Sequence, residues 1–127
     1  MLRNVLHTGV AVNDLEKTVS LYESLGFKVT NRFEKPEPKA QVATVQKDET
    51  AFELWQFEDT KHPYVAFIRN HIALYTDNLP QAIEQLEHDG YKLVIPITDG
   101  VVLRYAFVQD KSGACYELAT EKTEQRK

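Results

Sequence analysis

The sequence has little cysteine and no long apolar run, and each shortage excludes a class of protein. Its single cysteine, Cys115, cannot form an internal disulfide, so we expect a reducing, cytoplasmic compartment. No apolar run approaches a membrane span, and the N-terminal segment lacks the charged-then-apolar order of a signal peptide. We therefore expect a globular protein with no membrane partner, in which Cys115 is a small buried packing residue.

An excess of positive charge is also missing. The net charge of −4 at pH 7 gives no reason to expect nucleic acid or an acidic membrane surface as a partner. With 127 residues, 43% hydrophobic and 27% charged, the chain has the size and composition of an ordinary globular domain. We expect a single domain over residues 1–120, followed by a frayed, charged tail over 121–127 that has no apolar residue.

An internal repeat with an offset of 64 residues organises the chain. Shared apolar periodicity does not explain why glycine, histidine and glutamate positions match in the same ungapped register. The interval from histidine to glutamate is 46 residues in both copies (53 − 7 and 117 − 71). The sequence therefore predicts a duplicated module, with copies at about 5–57 and 69–120. The matched positions include His7 with His71, Gly26 with Gly90, Lys47 with Lys111, and Phe52-Glu53-Leu54 with Tyr116-Glu117-Leu118.

Each copy reads as a strand, a helix and three further strands. Residues 5–12 alternate with the period of a half-buried strand, and Asn13 and Glu16 have the spacing of a capping box that opens a helix. Gly26 is suited to end that helix. The apolar stripe of the helix is formed by Leu15, Val19, Tyr22 and Leu25.

The rest of the first copy and all of the second follow the same plan. The first copy continues with strands at 27–33, 41–46 and 51–57 and a proline-containing loop at 34–39, and residues 58–70 connect the copies. The second copy has strands at 71–76, 91–97, 103–109 and 115–119 and a helix at 79–89. The predicted class is α+β, with two tandem βαβββ modules whose four-stranded sheets are mostly antiparallel.

Strand alternation predicts where four polar residues point. His7 shares its face with Gly9 and Ala11, away from the apolar face on which a helix would pack. The same reasoning places three further residues on faces that helices do not cover, and small neighbours there are expected to leave room for a ligand. These residues are Glu53, His71 and Glu117.

Two imidazoles and two carboxylates suit a divalent metal such as zinc, nickel, cobalt, iron or manganese. The alternative is that each of the four residues is a solvated side chain at a strand edge. That alternative would have to explain why the same pattern occurs in both copies in the same register. The predicted metal ligands are His7, Glu53, His71 and Glu117.

Three segments carry a resemblance to a known family, the vicinal oxygen chelate superfamily. They are HTGVAVNDLEKTVSLYESLGFKV, NHIALYTDNLPQAIEQLEHDGYKL and CYELATE. The resemblance implies a half-open mixed β-barrel with the helices outside, and a homodimer. It leaves open whether the site forms within one chain or across the two-fold axis.

Within this superfamily, the ligand set is most similar to that of glyoxalase I. The resemblance implies a lyase that isomerises the adduct of a 2-oxoaldehyde and a thiol to a 2-hydroxyacyl thioester, with nickel or zinc as cofactor. Glu117 would be the leading catalytic base and Glu53 its counterpart. The alternatives are another metalloenzyme of the superfamily, such as a thiol transferase or dioxygenase, and a non-catalytic protein that binds a drug or metabolite.

Substrate contacts are harder to locate in the sequence. The resemblance implies basic residues for the carboxylates of a thiol such as glutathione, and three aromatic residues could line an apolar pocket. The turn at 110–113 reads Asp-Lys-Ser-Gly, where the family often has Asp-Pro-Asp-Gly. The candidate basic residues are Arg3, Arg32, Arg69 and Arg104, and the candidate aromatic residues are Trp55, Tyr75 and Phe107.

Overall fold

A computed structural model of the protein describes residues 2–122. In this part of the chain, eight strands and three helices follow one another in an order that repeats after the connector. The elements are β1 (Leu2–Ala11), α1 (Leu15–Ser24), β2 (Lys28–Pro36), β3 (Lys39–Lys47), β4 (Thr50–Phe57), α2 (Val65–Ile68), β5 (Asn70–Thr76), α3 (Leu79–His88), β6 (Lys92–Asp99), β7 (Leu103–Gln109) and β8 (Cys115–Glu121).

Two compact units divide the chain. Residues 7–71 form the first unit, and the described residues on either side, 2–6 and 72–122, form the second. In the first unit the strand order is β2-β3-β4-β1. Strands β1 and β4 are parallel, with Gly9 opposite Glu53, and the other neighbours are antiparallel. Helix α1 closes one face of this sheet over a core of Leu15, Val19, Ala43, Val45 and Leu54.

The second unit repeats this arrangement. Its strand order is β5-β8-β7-β6, and β5 and β8 are parallel, with Ala73 opposite Glu117. The two parallel pairs therefore have equivalent registers. In each, a glutamate lies opposite a small residue that follows a predicted histidine ligand by two positions. The predicted fold class, α+β with two tandem βαβββ modules, is confirmed. The core under α3 consists of Leu79, Ala82, Ile83, Ala106, Val108 and Leu118.

The start and end of α1 differ from the sequence prediction. Asp14, rather than Asn13, caps the helix, because its carboxylate accepts a hydrogen bond of 3.1 Å from the Lys17 N–H. Asn78 caps α3 in the same way, again 64 residues later (78 − 14). Leu25 does not belong to the buried stripe: it lies just past the helix end and is 55% exposed.

Two segments predicted as irregular contain regular structure. The predicted loop at 34–39 is mostly strand, because β2 continues to Pro36, which pairs with Lys39 at the end of the hairpin. Proline is tolerated there because β2 is an edge strand of its unit and needs no N–H donor on its outer side. The connector contains the short helix α2, whose Ile68 is buried.

The C-terminal end of the described chain is anchored. Glu121, the first residue of the predicted frayed tail, belongs to β8, and Lys122 Nζ donates a 2.6 Å hydrogen bond to the Gly100 carbonyl. Residues 123–127 of that predicted tail lie outside the described residues. Among residues 2–122, no helix is long and apolar enough to cross a membrane.

Candidate metal centre

Three of the four predicted ligands converge within the first unit. The Nε2 atom of His7 lies 3.2 Å from Oε1 of Glu53, and Nε2 of His71 lies 4.0 Å from the same oxygen. The two imidazole centroids are 5.5 Å apart, with the rings nearly perpendicular. Each of the three residues offers a donor atom within 4.8 Å of the others. Two imidazole nitrogens and a carboxylate at this spacing could hold a divalent metal ion.

Strand pairing brings His7 and Glu53 together. They lie on the parallel neighbours β1 and β4, whose register places Gly9 opposite Glu53. Leu54, the next residue on β4, is fully buried in the core beneath α1, so Glu53 points to the opposite face of the sheet. This confirms that Glu53 lies on the face that α1 leaves uncovered. Burial is strong here: His7 is 8% exposed and the Glu53 side chain 13%.

A backbone carbonyl group orients the imidazole of His71. Its Nδ1 atom lies 2.7 Å from the carbonyl oxygen of Ile68, the last residue of α2. Because a carbonyl oxygen only accepts hydrogen bonds, Nδ1 must carry a hydrogen, and in the neutral imidazole the lone pair then lies on Nε2. This tautomer is the one in which Nε2 can ligate a metal, and such a hydrogen bond is the usual support of a ligating histidine. The three residues therefore fit a divalent metal ion.

Gly9 makes room for His71. A Cβ atom built on Gly9 would lie 2.5 Å from Nδ1 and 2.6 Å from Nε2 of His71, and closer still to Cε1. The expectation that small neighbours leave room for a ligand is wrong at Gly9, because the imidazole of His71 occupies that room. Sequence reasoning noted the small side chain but had no signal for what fills the space.

Trp55 supports the same cluster. Its indole Nε1–H donates a 2.9 Å hydrogen bond to Oε1 of Glu53, and its ring meets the His71 ring edge-on at 6.5 Å. Its other side stacks on Phe57, with centroids 5.4 Å apart. Trp55 was predicted as a possible pocket-lining residue. Sequence alternation placed it on the face of Glu53 but did not indicate the hydrogen bond.

Glu117, the fourth predicted ligand, belongs to the second unit. It lies on β8, is 7% exposed and is followed by Leu118, which is fully buried in the core under α3. Glu117 thus occupies in its module the position that Glu53 occupies in the first, with its backbone opposite Ala73. The face predicted for Glu117 is confirmed.

Cys115 is buried, as predicted. Gln109 Nε2 lies 3.6 Å from its sulfur, and burial raises the pKa of the Cys115 thiol. A thiol that stays protonated is a poor nucleophile, which agrees with a packing role.

Three of the four candidate arginines pair with acidic side chains. Arg32 makes a two-pronged contact with Glu16, at 2.8 and 3.1 Å. Arg104 donates to Asp99 at 2.7 Å, and this bond lowers the pKa of Asp99. The third is Arg3, whose guanidinium lies 3.8 Å from the Asp77 carboxylate.

Arg69 differs from the other three. No acidic side chain within residues 2–122 pairs with it. It lines a cavity of about 340 Å³ in the first unit, together with Phe57, which stacks on Trp55. The cavity therefore combines one aromatic side chain with one cation that has no acidic partner among residues 2–122, and none of the three clustered ligands lines it. The other lining residues are Ala11, Val12, Asn13, Gln56, Thr60 and Val65.

The two remaining candidate aromatic residues belong to the second unit. Tyr75 donates a 2.9 Å hydrogen bond to Glu121, which raises the pKa of its hydroxyl. Phe107 is 2% exposed and packs edge-on against Tyr105. Both side chains thus have structural contacts within their own unit.

A family model matches nearly the whole chain. The model of the Glyoxalase/Bleomycin resistance protein/Dioxygenase superfamily covers residues 4–118. The chain belongs to this superfamily. The family predicted from the sequence motifs is therefore confirmed.

Relatives and solved structures add detail. A lactoylglutathione lyase of Neisseria meningitidis serogroup B is 31% identical, over 94% of this chain and 91% of the relative. A lactoylglutathione lyase of Escherichia coli O157:H7 is also 31% identical, over 93% of both chains. The structure of a Streptomyces coelicolor methylmalonyl-CoA epimerase has a TM-score of 0.82 at 21% identity, covering 97% of both chains. This last similarity shows a shared fold.

Proposed function

We propose that the protein is a divalent-metal-dependent lyase of the glyoxalase I type, which isomerises the adduct of a 2-oxoaldehyde and a thiol to a 2-hydroxyacyl thioester. The observation that carries the proposal is the cluster of His7, Glu53 and His71, with donor atoms within 4.8 Å. Two relatives with 31% identity bear the name lactoylglutathione lyase, which supports this reaction over others in the superfamily.

Glutamate at position 53 favours this reaction over epimerisation. The resemblance to the superfamily implies glutamine at this position in its epimerases, whereas this chain has a carboxylate oxygen 3.2 Å from Nε2 of His7. We propose Glu117 as the fourth ligand, because its pairing opposite Ala73 repeats the pairing of Glu53 opposite Gly9. Nickel and zinc are the proposed metals, with cobalt, manganese and iron as alternatives.

Each residue has a part in the proposed reaction. A bound divalent cation would supply Lewis-acid stabilisation of the negative charge that develops on the substrate oxygens. His7, His71 and Glu53 would hold it, with Glu117 as the fourth ligand. The Glu117 carboxylate would accept the proton from the carbon that carries sulfur and hydroxyl, and return it to the neighbouring carbon. Transfer of the hydroxyl proton between the two substrate oxygens would complete the isomerisation without any other reactant.

Arg69 and its cavity are the proposed site for the tail of the thiol. A guanidinium without an acidic partner is suited to a carboxylate, and the cavity volume of about 340 Å³ lies in the range of small-molecule sites. We propose a small thiol that carries a carboxylate, of which glutathione is one example.

The test has two steps. Metal content is first measured on the purified protein by elemental analysis, before and after incubation with nickel, zinc or cobalt. Thioester formation from methylglyoxal and glutathione is then followed with each metal. We expect one divalent ion per site and metal-dependent isomerisation that a chelator abolishes and added metal restores.

Negative results would separate the alternatives. Metal binding without isomerisation would indicate another metalloenzyme of the superfamily, such as a thiol transferase or dioxygenase. Failure to bind any of these metals would contradict the proposal and favour a non-catalytic binding protein. Homodimer formation and a cytoplasmic location stay predictions, and sedimentation in solution tests the first.

A further inference from the structure

The indole of Trp55 contacts two predicted metal ligands at once. Its N–H is 2.9 Å from Oε1 of Glu53, and its ring lies edge-on to His71 at 6.5 Å. Trp55 itself is 5% exposed and is held between two aromatic side chains, Phe57 in a stacked arrangement and Phe33 edge-on at 6.3 Å. Packing therefore restricts where the indole donor can lie.

The residue at the corresponding position of the other module cannot make this contact. In the 64-residue register the position of Trp55 is occupied by Ala119 (55 + 64), whose side chain has no hydrogen to donate. The two predicted carboxylate ligands, Glu53 and Glu117, thus have different neighbours two residues further along their strands.

We propose that Trp55 is a positioning residue, which holds the Glu53 carboxylate as a fixed metal ligand through its indole N–H. The inference rests on the proposed function, since it assumes that Glu53 binds metal. It assigns fixed ligation to Glu53.

A flexible glutamate side chain loses conformational entropy when it binds a metal, and a hydrogen bond that already holds the carboxylate reduces this loss. Oε1 of Glu53 is the oxygen nearest to both His7 and His71, so fixing this atom fixes the geometry of the site. A buried hydrogen bond to a charged acceptor is stronger than one between neutral groups, and it restrains the side-chain torsions of the glutamate. Loss of such a supporting partner typically weakens metal binding by about 10–100-fold.

The test removes the N–H and keeps a ring. Trp55→Phe deletes the donor but preserves an aromatic side chain against Phe57. The matched control is Phe33→Leu, which removes an edge contact to the same indole and leaves the hydrogen bond in place. Nickel and zinc affinities of the full-length protein are measured by calorimetry, and the stability of the metal-free protein by urea unfolding.

We expect Trp55→Phe to weaken metal binding by about 10–100-fold, whereas Phe33→Leu leaves the affinity near that of the wild type. Trp55→His, which restores a ring N–H on the same strand position, should recover part of the loss. Because Trp55 is the only tryptophan, its emission in the wild type should also be quenched by nickel with the dissociation constant that calorimetry measures.

Each failure has a separate meaning. Wild-type affinity in Trp55→Phe would overturn the positioning role while the metal-dependent function stands. Equal weakening in Trp55→Phe and Phe33→Leu would also overturn it, since packing alone would then explain the loss. Absence of metal binding in the wild type would refute both this inference and the proposed function. Metal binding without isomerisation would refute only the proposed reaction.

Discussion

Gly9→Ala changes one hydrogen to a methyl group at the place where β1 meets His71. The added carbon would lie 2.5 Å from Nδ1 and 2.6 Å from Nε2 of His71. Relaxed contacts need about 3.5–4.0 Å, and Cε1 is closer still, so the imidazole would have to move by more than about 1 Å. It has little freedom to do so, because Nδ1 is bonded to the Ile68 carbonyl and the ring packs against Trp55.

Gly9→Ala should lower both the stability of the fold and the affinity for metal. Overpacking of this kind costs about 1–3 kcal/mol, of which alanine recovers about 0.5–1 kcal/mol through its lower conformational entropy in the unfolded chain. The free energy of unfolding of the metal-free protein should therefore fall by up to about 2.5 kcal/mol. Metal binding should weaken as well, by at least roughly 10-fold, because a ligand itself is displaced and loss of a supporting partner alone costs about 10–100-fold.

Calorimetric titration with nickel or zinc measures the affinity, and urea unfolding measures the stability. The matched control is Gly100→Ala, in which the new carbon would meet Tyr105 at 2.7 Å and the Leu103 carbonyl at 2.8 Å, within the second unit. This control should lose stability without losing metal affinity. Wild-type metal affinity in Gly9→Ala would refute the reasoning, and so would an equal loss of affinity in Gly100→Ala.

Three further outcomes follow from the structure. Glu117→Gln should lower turnover by about 10²–10⁴-fold while some metal stays bound, and full activity in this variant would remove Glu117 from the mechanism. Arg69→Ala should raise KM for an anionic thiol and leave kcat unchanged. The control Arg32→Ala removes an arginine that is already paired with Glu16, so it should leave KM and kcat unchanged. Equal changes of KM in the two variants would exclude a substrate contact of Arg69. Burial raises the pKa of the Cys115 thiol above its ordinary value of 9.0. The protonated thiol therefore contributes stability that is fully present below pH 9.0 and is lost as the pH rises through the folded-state pKa. Unfolding free energy measured across this range should fall less steeply in Cys115→Ala, and an unchanged slope would show that the thiol is not responsible.

Much of the candidate site was predictable because strand geometry is simple. Side chains alternate with period two, so Leu54 in the core requires Glu53 on the opposite face, and Leu118 does the same for Glu117. The 64-residue offset then linked the two glutamates to His7 and His71. Neither inference needs contacts between residues far apart in the sequence.

Local details were less predictable. Asn13 and Asp14 are both good helix caps, and only the backbone geometry decides that Asp14 caps α1. Pro36 suggested a loop, yet it belongs to β2, because the prediction could not identify that strand as the edge of its sheet.

By itself the sequence determined the duplicated βαβββ plan, the family and the identity of the candidate ligands, since all three follow from periodicity, register and motif. Only the tertiary structure decided that the ring of His71 fills the space beside Gly9 and that Trp55 donates a hydrogen bond to Glu53. It also decided that Arg69 lines a cavity with no acidic partner in the described part of the chain. These contacts join segments that the chain brings together only when β1, β4 and α2 have packed. Periodicity tells which way a side chain points, whereas its neighbours depend on how distant strands and helices meet.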